Sequence, residues 1–199
     1  MQKGADLRKP YEELEFTDNF MFVNVLTYYP ELCRELLELI LKTPIREVRI
    51  LENEHSIELS YEAKGIRADI FTEDDENTVY DIEMQVSTEP ELPKRSRYYH
   101  SAIDMEQLDK GSKYKELRKT YVIFICKTSA GKGYRKPIYT FRYRADEEPE
   151  KYLEDGSYTV IVNAECDDSG LSDEMKKFLH YIRTGKADTI VICHKRTAI

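Results

Sequence analysis

Apolar residues change their period along the chain, and the changes lay out its elements. Thr17 and Asp18 read as a helix start before FMFVNVL, and Pro30 opens PELCRELLELIL, where Leu32, Leu36, Leu39 and Ile40 form one stripe. Pro44 closes that helix, and residues 47–62 read as a strand or a strand pair. Residues 67–86, RADIFTEDDENTVYDIEMQV, read as a strand, an acidic turn and a second strand. Beyond the turn, Tyr80, Ile82, Met84 and Val86 alternate with Val79, Asp81, Glu83 and Gln85, and strand side chains alternate between faces with a period of two. Before it, Arg67, Asp69 and Phe71 share a face opposite Ala68 and Ile70. Pro90 and Pro93 break the chain. A helix is then expected from about Lys94 to Lys110, with Tyr98, Ala102, Met105 and Leu108 as its apolar face and Gly111 as its stop. TYVIFIC, residues 120–126, is a continuous apolar run and predicts a strand buried on both faces. KPIYTFRYR and SYTVIVNA predict two more strands, and Ser172 caps the helix DEMKKFLHYIRT, which ends at Gly185.

Helix, helix, strands, helix, buried strand, more strands, helix is the order of a mixed α/β sandwich rather than a doubly wound fold. The expected organisation is an N-terminal arm at 1–16, one domain over 17–188 and a C-terminal tail at 189–199. A chain of 199 residues is long enough for one sizeable core, and 41% apolar with 34% charged residues is a soluble globular composition. The opening MQKGADLRKP has no apolar core, so it predicts no secretory signal, and no apolar run is long enough to span a bilayer. Cysteines at 33, 126, 166 and 193 have neither CxxC spacing nor a paired histidine pattern, which argues against zinc and for a reduced, cytoplasmic protein. The four scattered histidines predict no nucleophilic triad.

Candidate chemistry gathers on the hairpin. If its strands pair, Asp69 lies beside Glu83, and two carboxylates side by side suit a hard divalent cation. On pattern alone the same acids also describe the solvent face of an antiparallel sheet, which is the commoner arrangement. Charge changes the picture further. The net charge is −8, yet residues 94–144 carry 14 Lys/Arg against 4 Asp/Glu. Such a basic block in an acidic chain is the footprint of a polyanion, or else ordinary solvated surface.

Taken together, TDNFMFVNVL, PELCRELLELIL, RADI, YDIEMQ, RSRYYHSAI with QLDKGSKY, YVIFIC, IYTFRYR and FLHYIRTGKAD resemble, in order and spacing, the PD-(D/E)XK nuclease superfamily. The likeness is to its branch of recombination-promoting nucleases and transposases, and runs from about Thr17 to Asp188. The resemblance implies an α/β, restriction-endonuclease-like three-layer sandwich with a mixed central sheet flanked by helices. It implies a magnesium-dependent DNA endonuclease, with manganese as a substitute ion, serving DNA recombination or transposition. The alternative is a catalytically weakened module on the same fold that binds DNA or a protein. Asp69 and Glu83 would be the metal ligands, and Asp69, Glu83 and Gln85 the catalytic residues. Gln85 stands where the superfamily motif has Lys, and this branch often has Gln there. A Gln can orient water only by hydrogen bonds. Relatives carry a Lys near the position of Asn24, so that substitute cation is missing here. Arg67, Lys94, Arg95 and Arg97 are the expected DNA contacts. Asp18 is a candidate third acid or, more simply, an N-cap. Asp81, one step back on the Glu83 face, is expected to back the site or face solvent, and His100 with Asp104 to form a surface hydrogen bond. The expected partner is DNA, with a homodimer as a possible assembly and no membrane. The ending TIVICHKRTAI is expected to be short for this branch.

Overall fold

The computed structural model describes residues 10–53, 56–57, 65–131, 133–167 and 169–186. The expectations for residues 1–9, 58–62 and the ending TIVICHKRTAI lie outside them. Two helices, α1 (Asn19–Tyr28) and α2 (Pro30–Leu41), lead into strands β1 (Val48–Asn53), β2 (Ser56–Ile57), β3 (Ile66–Arg67), β4 (Ile70–Asp74) and β5 (Val79–Gln85). Helix α3 (Leu92–Gln107), strands β6 (Thr120–Cys126), β7 (Ile138–Phe141) and β8 (Ser157–Asn163), and helix α4 (Asp173–Thr184) follow. Six strands form one sheet in the order β1-β4-β5-β6-β8-β7, while β2 and β3 pair apart from it. β5, β6 and β8 run parallel and the other pairs antiparallel. The sheet is therefore mixed and flanked by helices, as the element order predicts.

Both faces of the sheet are covered, which makes three layers. On one face, Tyr80, Ile82 and Met84 of β5 share a core with Ile123, Ile125, Val160 and Val162 and with buried residues of α1, α2 and α4. On the other, Phe71, Val79, Val122, Phe124 and Ile161 pack with Leu92, Tyr99, Ala102 and Ile103 of α3. β6 is buried along nearly all its length, as a central parallel strand requires. Ser172 caps α4 by accepting from the Met175 N–H, and Gly185 ends it at φ 68°, where a side chain would be strained.

The acidic turn is held by one carboxylate. Asp74 Oδ1 accepts the N–H groups of Glu76 and Thr78 at 2.9 and 2.8 Å, and Oδ2 accepts Tyr80 Oη–H at 2.6 Å. Asn77 takes φ 61°, tolerated best by Asn and Gly.

Three expectations need correction. Helix α3 begins at Leu92, with Pro93 in its first turn, and the sheet-facing residues are Leu92, Ser96, Tyr99, Ala102 and Ile103. Tyr98 and Met105, expected on the apolar face, are 37% and 64% exposed. The earlier start sets the phase of the stripe at Leu92, one step away from the phase that Tyr98 suggested. The helix also ends at Gln107, before Gly111. Lastly, Asp69 is not inside a strand: Ala68 and Asp69 break the chain between β3 and β4, because side-chain bonds there replace the ladder (below).

Phe16, assigned to the arm, packs edge-on to Phe22 at 5.4 Å and stacks on Tyr181 at 5.8 Å. Glu15 accepts from Lys127 Nζ at 2.5 Å, so this end of the arm is fastened to the domain. Cys33 and Cys126 are buried free thiols, and burial pushes both up to about 12, far from thiolate reactivity. Among the described residues, no helix is long and apolar enough to cross a membrane.

Candidate active site

Four elements meet at the C-terminal end of β5: the break before β4, β5 itself, the first turns of α3 and the start of α1. Register fixes the faces. Phe71 pairs with Asp81 and Ile70 with Ile82, so Asp81, Glu83 and Gln85 lie on the α3 side of the sheet. Asp69 joins them through an exchange of side-chain and backbone bonds. Its N–H donates to Glu83 Oε1 at 3.1 Å, and its Oδ2 accepts the Met84 N–H at 3.0 Å. The Glu83 carboxylate therefore fixes the backbone at Asp69, and the Asp69 carboxylate fixes it at Met84. The solvated-face reading of the β5 acids fails, since every residue of that strand is buried. Asp81 is 0% exposed, Glu83 1% and Gln85 8%.

Helix α3 supplies the cation. The half-buried Arg95 guanidinium donates to Glu83 Oε2 through Nη2 and to Gln85 Oε1 through Nη1 at 2.9 Å. Nε and Nη2 both reach Tyr99 Oη, at 3.1 and 2.9 Å. The guanidinium carbon lies 5.0 Å from the centre of the Tyr99 ring and 5.4 Å from that of Phe124, close enough for cation–π attraction. Gln85 donates through Nε2 to the Met84 carbonyl at 3.1 Å, so both ends of its amide are held.

The cavity in front of these groups measures about 200 Å³, and Asp69, Glu83, Gln85 and Arg95 line it together with Thr17, Asp18 and Asn19. Asp18 stands at the N-cap position of α1, yet its side chain caps nothing there. It accepts the Glu15 N–H at 2.8 Å and faces the cavity instead. Asn24 turns its amide onto the Phe20 carbonyl at 2.6 Å and contributes no charge to the site.

Burial dominates the electrostatics. It pushes the Asp69 carboxyl above its ordinary range, opposed by the Met84 N–H, Arg95 and Arg67. Burial and then the Asp69 charge push Glu83 up to about 7, against the pull of Arg95. Asp81 is raised furthest, by burial first and then by Glu83 and Asp69. Neither Asp81 oxygen has a hydrogen-bond partner. Of the two expectations for Asp81, the solvent-facing one fails, because the α3 layer covers it, and its charge coupling to Glu83 and Asp69 places it behind the site.

Three carboxyl groups share this neighbourhood with one directly bonded guanidinium. That surplus of hard oxygen donors fits a divalent cation such as magnesium. Among the described residues, no three His, Cys, Asp or Glu side chains are grouped so as to enclose an ion. Asp69 and Glu83 could hold one as a pair, with water and phosphate oxygens completing the shell, which is how magnesium is usually bound.

The remaining expected contacts divide. Lys94 and Arg97 are exposed on α3 beside the site, and Arg67 is exposed on β3, where it acts on Asp69 through its charge. Arg95 is not on that open surface but inside the site. His100 does not pair with Asp104. Its Nε2 lies 3.3 Å from Thr159 Oγ1, Nδ1 has no partner, and burial lowers its pKa to about 4. The residue missed from sequence is Tyr99. Its signal was present, since Arg95 and Tyr99 are four apart on a helix and so share a face.

No curated protein and no solved structure gives a significant match to this chain. The family profile described as "PD-(D/E)XK nuclease family transposase" matches residues 30–165. That span includes the sheet from β1 to β8, all of α3, and Asp69, Glu83, Gln85 and Arg95. On a mixed sheet flanked by helices, with its acids paired at the end of β5, the chain belongs to the PD-(D/E)XK nuclease family transposases.

Proposed function

We propose that the protein is a magnesium-dependent DNA endonuclease, able to use manganese, that hydrolyses phosphodiester bonds in the service of DNA recombination or transposition. The observation that carries this reading is the pairing of half-buried Asp69 with buried Glu83, cross-bonded through backbone and open to a cavity. A divalent ion held by those two carboxylates would lower the pKa of a bound water and offset phosphate charge. Gln85 would orient the attacking water by hydrogen bonding, since it has no charge to give. Its amide is already aimed by Arg95 and the Met84 carbonyl, so it pays little ordering entropy when it acts. Arg95 puts a positive charge beside the amide and keeps the cluster of acids from repelling a phosphate outright. Arg67, Lys94 and Arg97 would take neighbouring phosphates of the DNA backbone, and the basic segment 94–144 would extend that surface. A cytoplasmic setting is supported by the free thiols of Cys33 and Cys126 in the core.

The second reading, a module that holds DNA or a protein without cleaving, is favoured by one observation: Arg95 already bonds Glu83, and Gln85 is neutral. Nicking of supercoiled plasmid separates the two. The endonuclease reading expects nicks with magnesium or manganese, none with EDTA, and none from Glu83→Ala under any of these conditions. DNA binding without nicks, or wild-type nicking by Glu83→Ala, would overturn it.

A further inference from the structure

A second cavity, of about 440 Å³, lies on the opposite face of the sheet from the acids and at the opposite strand ends. Tyr121 and Tyr158, near the starts of β6 and β8, form part of its wall with Phe141 and Tyr152, while Arg142 and Arg144 sit at its rim. Tyr80, Tyr121 and Tyr158 stack across three neighbouring strands, with ring centres 5.4 and 4.7 Å apart and planes within 12° and 18° of parallel. Tyr80 is buried and the other two are only partly covered, so the ladder runs from the core to the cavity. Lys119 Nζ lies 5.2 and 5.5 Å from the centres of the Tyr121 and Tyr158 rings. The Arg142 guanidinium rests on Tyr152, 3.4 Å from its centre.

The cations at this cavity have no acidic partner among the described residues. The net charge is −8, yet Lys119, Arg142 and Arg144 form no ion pair with any carboxylate among the described residues. Three cations that no carboxylate answers, over a tyrosine ladder, call for a ligand with two properties: a flat ring to stack and an anionic group to meet the arginines. A nucleotide has both, and base–aromatic stacking tolerates every base because each has a π-face. Duplex DNA keeps its bases stacked inside, so only a single strand or a free nucleotide can offer one. The exposed acids Asp146, Glu147, Glu148 and Glu150, which follow Arg144, further disfavour the dense double phosphate array of a duplex.

We propose that this cavity is a nucleotide-stacking site, in which a base lies against Tyr158, the outer ring of the ladder, and its phosphate meets Arg142, Arg144 and Lys119. The inference stands apart from Asp69 and Glu83 and does not rest on cleavage. The test measures anisotropy of a fluorescent oligothymidylate on the full chain in EDTA, with unlabelled dTMP, single-stranded and duplex competitors. The oligonucleotide binds the wild type, and the exposed double variant Arg142→Ala/Arg144→Ala weakens it tenfold or more with a shallower salt dependence. Tyr158→Ala weakens it by roughly tenfold as well. Displacement by dTMP at matched nucleotide concentration identifies a free nucleotide as the ligand; displacement only in large excess identifies the strand. Failure of both probes to bind, wild-type binding by Arg142→Ala/Arg144→Ala, or a duplex competing as well as the single strand would overturn the proposal.

Discussion

Arg95→Ala removes a cation hydrogen-bonded to the acid cluster, and its cost can be worked from the contacts. The guanidinium bonds Glu83, Gln85 and Tyr99 and covers two rings, while Glu83 is 1% exposed. Breaking a buried pair by deleting one partner costs about 3–5 kcal/mol when the other charge stays in place. Glu83 has an escape, because its pKa already stands at about 7 and loses its main downward pull in the variant. A carboxyl whose folded pKa is raised contributes stability below its unfolded pKa and loses it as pH rises through the folded value. Near pH 5 Glu83 is protonated in both proteins, and the variant loses only hydrogen bonds, about 1–2 kcal/mol. Near pH 8 the wild type holds a paired carboxylate and the variant an unpaired one, so the deficit grows to about 3 kcal/mol. For a chain of this size that is roughly 6–12 °C of melting temperature. Urea unfolding in EDTA, followed by far-UV circular dichroism at both pH values, measures the difference. A deficit below about 0.5 kcal/mol, or one equal at both pH values, would refute the account of Arg95 and Glu83 as a buried pair.

Further outcomes follow from the same geometry. Gln85→Ala should slow nicking about tenfold to a thousandfold while leaving manganese affinity near wild type, because it removes water orientation and keeps both carboxylates; unchanged rates would remove Gln85 from the chemistry. Gln85→Lys places an ammonium against Arg95, whose Nη1 lies 2.9 Å from Gln85 Oε1, so it should nick faster in an Arg95→Gln background than alone, and equal rates would count against that contact. Magnesium should raise the melting temperature more near pH 8 than near pH 5.5, since Glu83 must lose its proton to bind an ion, and a larger shift at the lower pH would contradict the site. Lys94→Ala and Arg97→Ala should leave stability unchanged and each lower the salt slope of duplex binding by about one, measured by anisotropy in calcium, and an unaltered slope would remove them from the DNA surface.

Much of this fold could be read from periodicity. The apolar runs of β6 and β8, helix α2 and the Ser172-to-Gly185 helix all appear where the pattern put them, because each depends on local sequence, although α2 buries Cys33, Leu36, Leu37 and Ile40 and leaves Leu32 and Leu39 half-buried. That Glu83 and Gln85 share one face follows from period two, whereas Asp69 reaches the same cavity from a break between strands. What sequence could not supply was depth. Alternation marks Asp81, Glu83 and Gln85 as a polar face, but whether that face meets water or a helix depends on where α3 lands. Sequence leaves the phase of α3 open because Tyr98 and Tyr99 are adjacent and equally apolar, and only the start at Leu92 decides which one turns inward. That phase is also what delivers Arg95 to Glu83 and not to solvent. The break at Asp69 is hidden for a similar reason: RADIF has the composition of a strand, and the bonds that interrupt it come from Glu83 and Met84, on another strand.

That Asp69 and Glu83 form one metal centre is tested most directly by titrating manganese into metal-free protein by calorimetry, with wild type, Asp69→Asn and Glu83→Gln side by side at about pH 8, where Glu83 is ionised. The account predicts a single ion bound per chain by the wild type and loss of that binding event in each variant, with the circular dichroism of all three unchanged. A wild type that binds no ion, or variants that bind it as the wild type does, would contradict it.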